Sequence, residues 1–370
     1  MASLNPRVES IKLEYCGRMK DNVLEHWSVH LSSLRAVDLV GPFNVRAEAW
    51  ISFIEGTEHP LERFCVTQSP RFDLQCLEAL HKRCRSSLVG LRLKEMSKLD
   101  DDWLSLFADF ANLTSLDISR PARSVSDRSL IALLTRIGNK LSVLDISGHE
   151  DLSDQALVEG VKLHATNLTS FYAADLPLLT EGGVSQLFGA ELKPGASEAH
   201  DLEMREGEGN GILSTEDAAM DGSTDDAGEV DATCNLPPLE RVDLSRSPAL
   251  GSQALAALLQ HSGKAVRYLN INQWKDVDNE TLLTLGPSAP HLTEVDIGWC
   301  RRVDNFVVGA LLDSCPNLRL ILCSGCNHLT GDCPRKVRTN CCTYSPCVPG
   351  QRLLFTARCF SPWSRARSVG

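Results

Sequence analysis

Eleven times along the chain, apolar residues stand at the first, fourth and sixth places of a short segment that turns at its ninth. The segments begin at Val8, Leu34, Leu61, Leu88, Leu113, Leu141, Leu168, Leu239, Val266, Leu292 and Leu318, and with one exception they lie 25 to 28 residues apart. Within each, alternation predicts a strand whose fourth and sixth side chains point one way and whose fifth points the other. A unit this small cannot bury its own apolar face. Stacking on a neighbour of the same register supplies the core, so the chain must fold as a one-dimensional array.

The second half of each unit carries helix signals. SDQALVEGVKLHA (153–165) offers Ser153 and Asp154 as caps before apolar residues at helical spacing, and SDRSLIALL (126–134) and DNETLLTL (278–285) repeat the pattern. Strand, turn, helix and return predict an α/β fold: a right-handed leucine-rich-repeat solenoid of about eleven repeats, a horseshoe with parallel strands on its concave face and helices on its convex face. Period and turn cysteines point to the ribonuclease-inhibitor-like, F-box-associated subclass. Such a stack needs a cap at each end. None is visible before Val8, so a partner or a preceding segment is expected over that edge.

The fifth place is acidic unusually often: LTSLDISRP (113–121), LERVDLSRS (239–247) and LTEVDIGWC (292–300) each centre on an aspartate. These side chains are expected to face solvent between two inward neighbours. Asp117, Asp145, Asp243, Asn270 and Asp296 form a candidate partner-binding strip, with Asp38 in the same place nearer the N-terminus. Carboxylates on strands about 4.8 Å apart repel, so the strip is read either as a solvated face or as a dock for a basic segment. Basic residues collect elsewhere, at Arg63, Arg92, Lys94, Arg241, Arg246, Arg301 and Arg302. They form a candidate basic edge for nucleic acid, with small clusters and no accompanying aromatic series.

The ninth place turns the chain and must satisfy backbone groups inside the stack. Cys16, Cys300, Cys326 and His149 occupy it, which gives them structural roles. Trp274 and Trp299, at or next to it, are expected to pack in the turn layer, with a partner contact as the alternative. Cys323 and Cys326 form a CxxC, but one takes an inward strand place and the other the turn, so no metal site is expected. The sequence holds no phosphate loop, no HExxH and no GxSxG elbow. No enzyme and no cofactor are expected.

Charge divides the chain. Residues 191–235 carry 13 acidic and 2 basic side chains, and this stretch fills the one long gap, 71 residues between Leu168 and Leu239. After Pro334 there are seven basic residues and no acidic one. The expected organisation is repeats one to seven over 1–190, a disordered acidic insert over 191–235, repeats eight to eleven of the same domain over 236–336, and a basic, cysteine-bearing, disordered tail over 337–370. No apolar run reaches membrane-spanning length and no secretory leader is evident, so the 14 cysteines are read as thiols.

Several stretches outside the bare repeat, LVGPFNVRAEAW (39–50), TQSPRFDL (67–74), LNINQWKDVDNETL (269–282), VDIGWCRRVDNFVV (295–308) and GCNHLTGDCPRK (325–336), resemble the fungal "Rad seven" family of nucleotide-excision-repair proteins. The resemblance covers about residues 11–336 apart from the insert. It implies a nuclear, non-enzymatic scaffold of global-genome repair that pairs with a Swi/Snf-type DNA-dependent ATPase bearing a RING finger. It also implies membership of an elongin-C and cullin ubiquitin ligase, with contact to chromatin or damaged DNA mainly through the complex and no membrane. The alternative is a cullin-ligase substrate receptor with no repair role. The family's N-terminal region, with its adaptor-binding box, finds no counterpart here, and the sequence past Lys336 departs from the family.

Overall fold

The computed structural model describes residues 6–189 and 234–330. All but the last two residues of the expected acidic insert lie outside them, as does the basic tail. Eleven strands form one open parallel sheet in strict sequence order: β1 (Ser10–Leu13), β2 (Ala36–Val40), β3 (Arg63–Thr67), β4 (Gly90–Lys94), β5 (Ser115–Asp117), β6 (Val143–Asp145), β7 (Ser170–Tyr172), β8 (Arg241–Asp243), β9 (Tyr268–Asn270), β10 (Glu294–Asp296) and β11 (Leu320–Leu322). The long gap leaves no mark on the sheet. Ser170 pairs with Arg241 and Tyr172 with Asp243, the register of any other neighbouring pair.

Helices return the chain on the other side: α1 (Asp21–His30), α2 (Ala47–Gly56), α3 (Leu74–Cys84), α4 (Asp101–Phe107), α5 (Asp127–Ile137), α6 (Glu181–Leu187), α7 (Ser252–Ser262), α8 (Asn279–Ser288) and α9 (Asn305–Ser314). Between β6 and β7 the predicted helix widens to π geometry over Ala156–Lys162. No helix among the described residues is long and apolar enough to cross a membrane.

The core lies between the two layers. Leu113, Leu116 and Ile118, and in the next repeat Leu141, Leu144 and Ile146, are wholly buried, and they meet helix residues such as Leu130, Leu134 and Ile137. Each such side chain contributes roughly 1.5–3 kcal/mol by leaving water. Two of the stretches outside the bare repeat prove to be core chemistry. LVGPFNVRAEAW brings Trp50 and TQSPRFDL brings Phe72 to a buried cluster with Phe64, with ring centroids 5.5 to 5.7 Å apart.

Neighbouring helices are stitched at their N-termini. The first residue of one helix accepts the N–H of the residue capping the next: Asp101 Oδ1 takes Ser126 N–H at 2.8 Å, and Asp21 Oδ1 takes Arg46 N–H at 2.8 Å. In the π-wound repeat, Asp154 Oδ1 takes Thr180 N–H at 2.9 Å. Of the expected caps, Ser153 serves two repeats, its Oγ accepting Gln155 N–H at 3.2 Å and donating to Asp127, while Asp154 serves the next repeat alone.

Candidate functional site

The concave column is the fifth place of every repeat. In register it runs Lys12, Asp38, Cys65, Arg92, Asp117, Asp145, Tyr172, Asp243, Asn270, Asp296 and Leu322. Wherever an aspartate or asparagine follows β4 in this column, the strand ends on it. Tyr172 and Leu322 end their strands at the same place, so the aspartates secure the end rather than set it, with one side-chain oxygen accepting the N–H two residues on. Ser119 N–H reaches Asp117 at 3.1 Å, Ser147 reaches Asp145 at 3.0 Å, Ser245 reaches Asp243 at 3.0 Å, Asn272 reaches Asn270 at 3.1 Å and Gly298 reaches Asp296 at 2.9 Å. The repeated aspartate forms an Asx turn that holds the chain where the strand ends.

The expectation that these carboxylates all face solvent fails at Asp117, which is only 5% exposed. Arg92 covers it, with Nε 3.1 Å from Asp117 Oδ2 and Nη1 3.8 Å from Asp38 Oδ2, reaching across the strand that carries Cys65. An ion pair this enclosed needs all its partners, and Ser119 Oγ–H adds a bond to Asp117 at 2.6 Å. Asp145 has no such cation. Burial, and then the charge of Asp117, push its carboxyl up to about 7. Burial also raises Asp243 and Asp296, opposed by hydrogen bonds from Ser245 and Asn270 to the first and from Asn272 and Gly298 to the second. Asn270 Nδ2–H donates to Asp243 at 2.9 Å and Asn272 Nδ2–H to Asp296 at 3.0 Å. Repulsion along the column is relieved by one cation, one carboxyl that favours its proton and interposed amides.

The basic residues do not converge. Arg63 and Lys94 lie half-buried on β3 and β4, beside the committed Arg92. Arg241 is held between two aromatics, its Nε–H donating to Tyr172 Oη at 3.0 Å and its guanidinium 4.6 Å from the ring centre of Tyr268. Arg246 approaches Asp175 at 3.8 Å, and Arg301 and Arg302 are exposed in the turn after β10. The tyrosine–arginine cluster was not foreseen, because nothing in a single repeat shows that Tyr172 and Tyr268 flank one strand.

The ninth place forms a ladder of its own. A side-chain donor there reaches back to the sixth-place carbonyl of the preceding repeat: His149 Nε2–H to Ile118 O at 3.0 Å, Trp274 Nε1–H to Leu244 O at 2.8 Å, Cys300 Sγ–H to Ile271 O at 3.4 Å and Cys326 Sγ–H to Ile297 O at 3.3 Å. His149 Nδ1 accepts Val125 N–H at 3.2 Å, which fixes the neutral tautomer, and burial pulls its pKa down to about 4. Among the described residues no group of three or more metal-binding side chains comes together. The eighth place is the other surprise. Tyr15, Gly41, Gln68, Glu95, Arg120, Gly148, Asp175, Arg246, Gln273, Trp299 and Gly325, one per repeat, all take positive φ between 53° and 78°. Trp274 is wholly buried as expected, but Trp299, in this left-handed place, is 58% exposed.

No family model matches the chain. The DNA repair protein rhp7 of Schizosaccharomyces pombe is 27% identical over 330 residues, covering 89% of this chain and 51% of that protein. The DNA repair protein RAD7 of Saccharomyces cerevisiae is 26% identical over 334 residues, covering 89% of this chain and 52% of that protein. The chain is homologous to these DNA repair proteins. It spans about half the length of each. The crystal structure of the yeast Rad7–Elc1 complex contains a chain of the same fold, with a TM-score of 0.72 and 24% identity over 92% of this chain and 75% of that one. The Rad7-like words LNINQWKDVDNETL and VDIGWCRRVDNFVV cover the two repeats where the asparagine–aspartate ladder, the buried Trp274 and the exposed Trp299 meet.

Proposed function

We propose that the chain is a non-enzymatic nuclear scaffold of global-genome nucleotide-excision repair, which pairs with a Swi/Snf-type ATPase to recognise damaged chromatin. Homology to two DNA repair proteins along 89% of the chain carries this reading. The architecture supports it. An open sheet of eleven strands offers a long surface, and the polar side chains described along its concave column are engaged in turns and bonds to one another. The partner face is centred on Asp145, Asp243, Asn270 and Asp296, where the column is half-buried rather than sealed. Asp117 supports that face from beneath Arg92.

The Rad7–Elc1 neighbour favours a second reading, a substrate receptor of an elongin–cullin or related ubiquitin ligase. The two readings are compatible, and one experiment separates them. The tagged chain is purified from nuclear extract and its companions are identified. Recovery of a Swi/Snf-type ATPase supports the repair scaffold. Recovery of cullin and adaptor without the ATPase supports the receptor alone. Recovery of neither removes both as properties of this chain.

A further inference from the structure

The turns that follow β8, β9 and β10 each present a cation. In consecutive repeats this edge presents Arg246, Lys275, Arg301 and Arg302, all exposed. Of these Arg246 alone is ion-paired, with Asp175 at 3.8 Å, and none of the ion pairs among the described residues involves Lys275, Arg301 or Arg302. Of the acidic groups beside them, Asp304 and Asp278 are held by backbone N–H groups at the helix starts. Asp304 Oδ1 accepts the N–H groups of Phe306 and Val307 at 2.9 and 3.0 Å, and Asp278 Oδ1 accepts that of Thr281 at 2.7 Å. Asp276 and Asp278 are exposed there and Asp304 is half-buried. On the opposite edge the cations are matched, as in Arg35 with Glu62 at 3.6 Å and Arg267 with Glu240 at 3.8 Å.

An aromatic surface stands in the middle of these cations. A Cβ added to Gly325 would lie 2.5 to 2.8 Å from Cδ2, Cε2 and Cε3 of Trp299, so one face of the indole rests flat on the Gly325 backbone. More than half of the residue remains in solvent. Its left-handed backbone, φ 60°, holds it at the rim, away from the turn layer where Trp274 sits.

We infer that the turn edge of repeats eight to ten binds single-stranded nucleic acid, with Arg246, Lys275, Arg301 and Arg302 on phosphates and Trp299 stacked on an unpaired base. Strands about 4.8 Å apart place these groups within the span of a few nucleotides. A row of cations with an interleaved, half-supported ring is the combination that such ligands require. A base needs an open π-face, and the Gly325 support keeps that face presented without a change of rotamer. The inference goes beyond the scaffold reading and stands on surface chemistry alone.

The test is fluorescence anisotropy of a labelled oligo-dT of about 12 nucleotides with the full chain, at about 50 and about 200 mM salt. Wild-type protein is expected to bind at low salt and to weaken as salt rises. Combining Lys275→Glu, Arg301→Glu and Arg302→Glu should lower affinity more than tenfold and reduce the log–log salt slope by about two, at roughly 0.7 per phosphate contact. Trp299→Ala should lower affinity about tenfold and leave the slope unchanged. Thermal midpoints equal to wild type confirm that the exposed substitutions leave the fold intact. No binding at low salt, or unchanged affinity in the charge-reversed variant, overturns the proposal, and so does binding that is indifferent to Trp299→Ala. None of these failures touches the co-purification test of the scaffold.

Discussion

Arg92 Nε lies 3.1 Å from Asp117 Oδ2, and among the described residues no ion pair of that kind reaches Asp145 on the next strand. Burial, and then the charge of Asp117, push the Asp145 carboxyl up to about 7, against the hydrogen bonds of Ser147 and the charge of Lys94.

Asp145→Asn should therefore stabilise the protein at pH 8 and do little at pH 4. The native carboxyl titrates near 7 and the unfolded one near 3.8. The stability this group contributes is intact below 3.8 and is lost as pH rises through the native value, because the native state alone retains the proton between them. Asparagine keeps the Asx turn, as Asn270 already does. Urea unfolding at the two pH values should show a gain of about 1–2 kcal/mol at pH 8. An equal effect at both would show that the carboxyl is ionised throughout.

His149 works in the opposite direction. Its native pKa near 4 lies below the ordinary 6.5, so the unfolded chain binds a proton that the native state refuses. Stability contributed by the neutral ring is present above pH 6.5 and falls as pH drops toward 4. His149→Ala should abolish that acid-side slope. It should also cost about 2–4 kcal/mol at neutral pH by orphaning Ile118 O and Val125 N–H and leaving a cavity. A melting temperature series from pH 7.5 to about 5 reads both effects.

Ile146→Asp should unfold the protein or cost more than about 4 kcal/mol, because a wholly buried sixth place offers a carboxylate no partner. Its neighbour Asp145 tolerates serine far better, since the fifth place opens to the concave face. Comparable losses of melting temperature in Ile146→Asp and Asp145→Ser would contradict the alternation of the strand.

Four buried thiols should be inert while the fold holds. Burial pushes Cys65, Cys76 and Cys300 up to about 12 and Cys326 to about 11, so almost none of each is thiolate at pH 8. Iodoacetamide followed by mass spectrometry should leave these four unmodified in native protein and label them in urea. Rapid native labelling of Cys300 would mean that the turn layer opens.

The spacing of Leu113, Leu116 and Ile118 in one repeat and Leu141, Leu144 and Ile146 in the next was enough to read strand direction, stacking order and the buried side. Periodicity is a property of single residues, and it survives in the sequence. The ninth-place roles of His149, Cys300 and Cys326 were legible for the same reason. Asp117 was misread because its burial comes from Arg92, a residue whose side chain could as well have faced solvent. The left-handed eighth place escaped notice because Tyr15, Gln68, Glu95 and Arg120 share a backbone angle and no side-chain chemistry. Trp299 and Gly325 fit together across two repeats, and no single repeat reveals that fit.

That left-handed place has a bearing on how the chain grew. Its N–H passes to the seventh-place carbonyl of the following repeat, from Gly41 to Thr67 at 2.9 Å through Asp175 to Ser245 at 2.8 Å and on to Trp299 and Ser324 at 2.7 Å. The joint is made of backbone alone and is the same on both sides of the long gap between Leu168 and Leu239. Two repeats therefore meet the same way whether 25 or 71 residues separate their starts. A lineage can lengthen the connection between two such repeats while the sheet on the inner side stays in step.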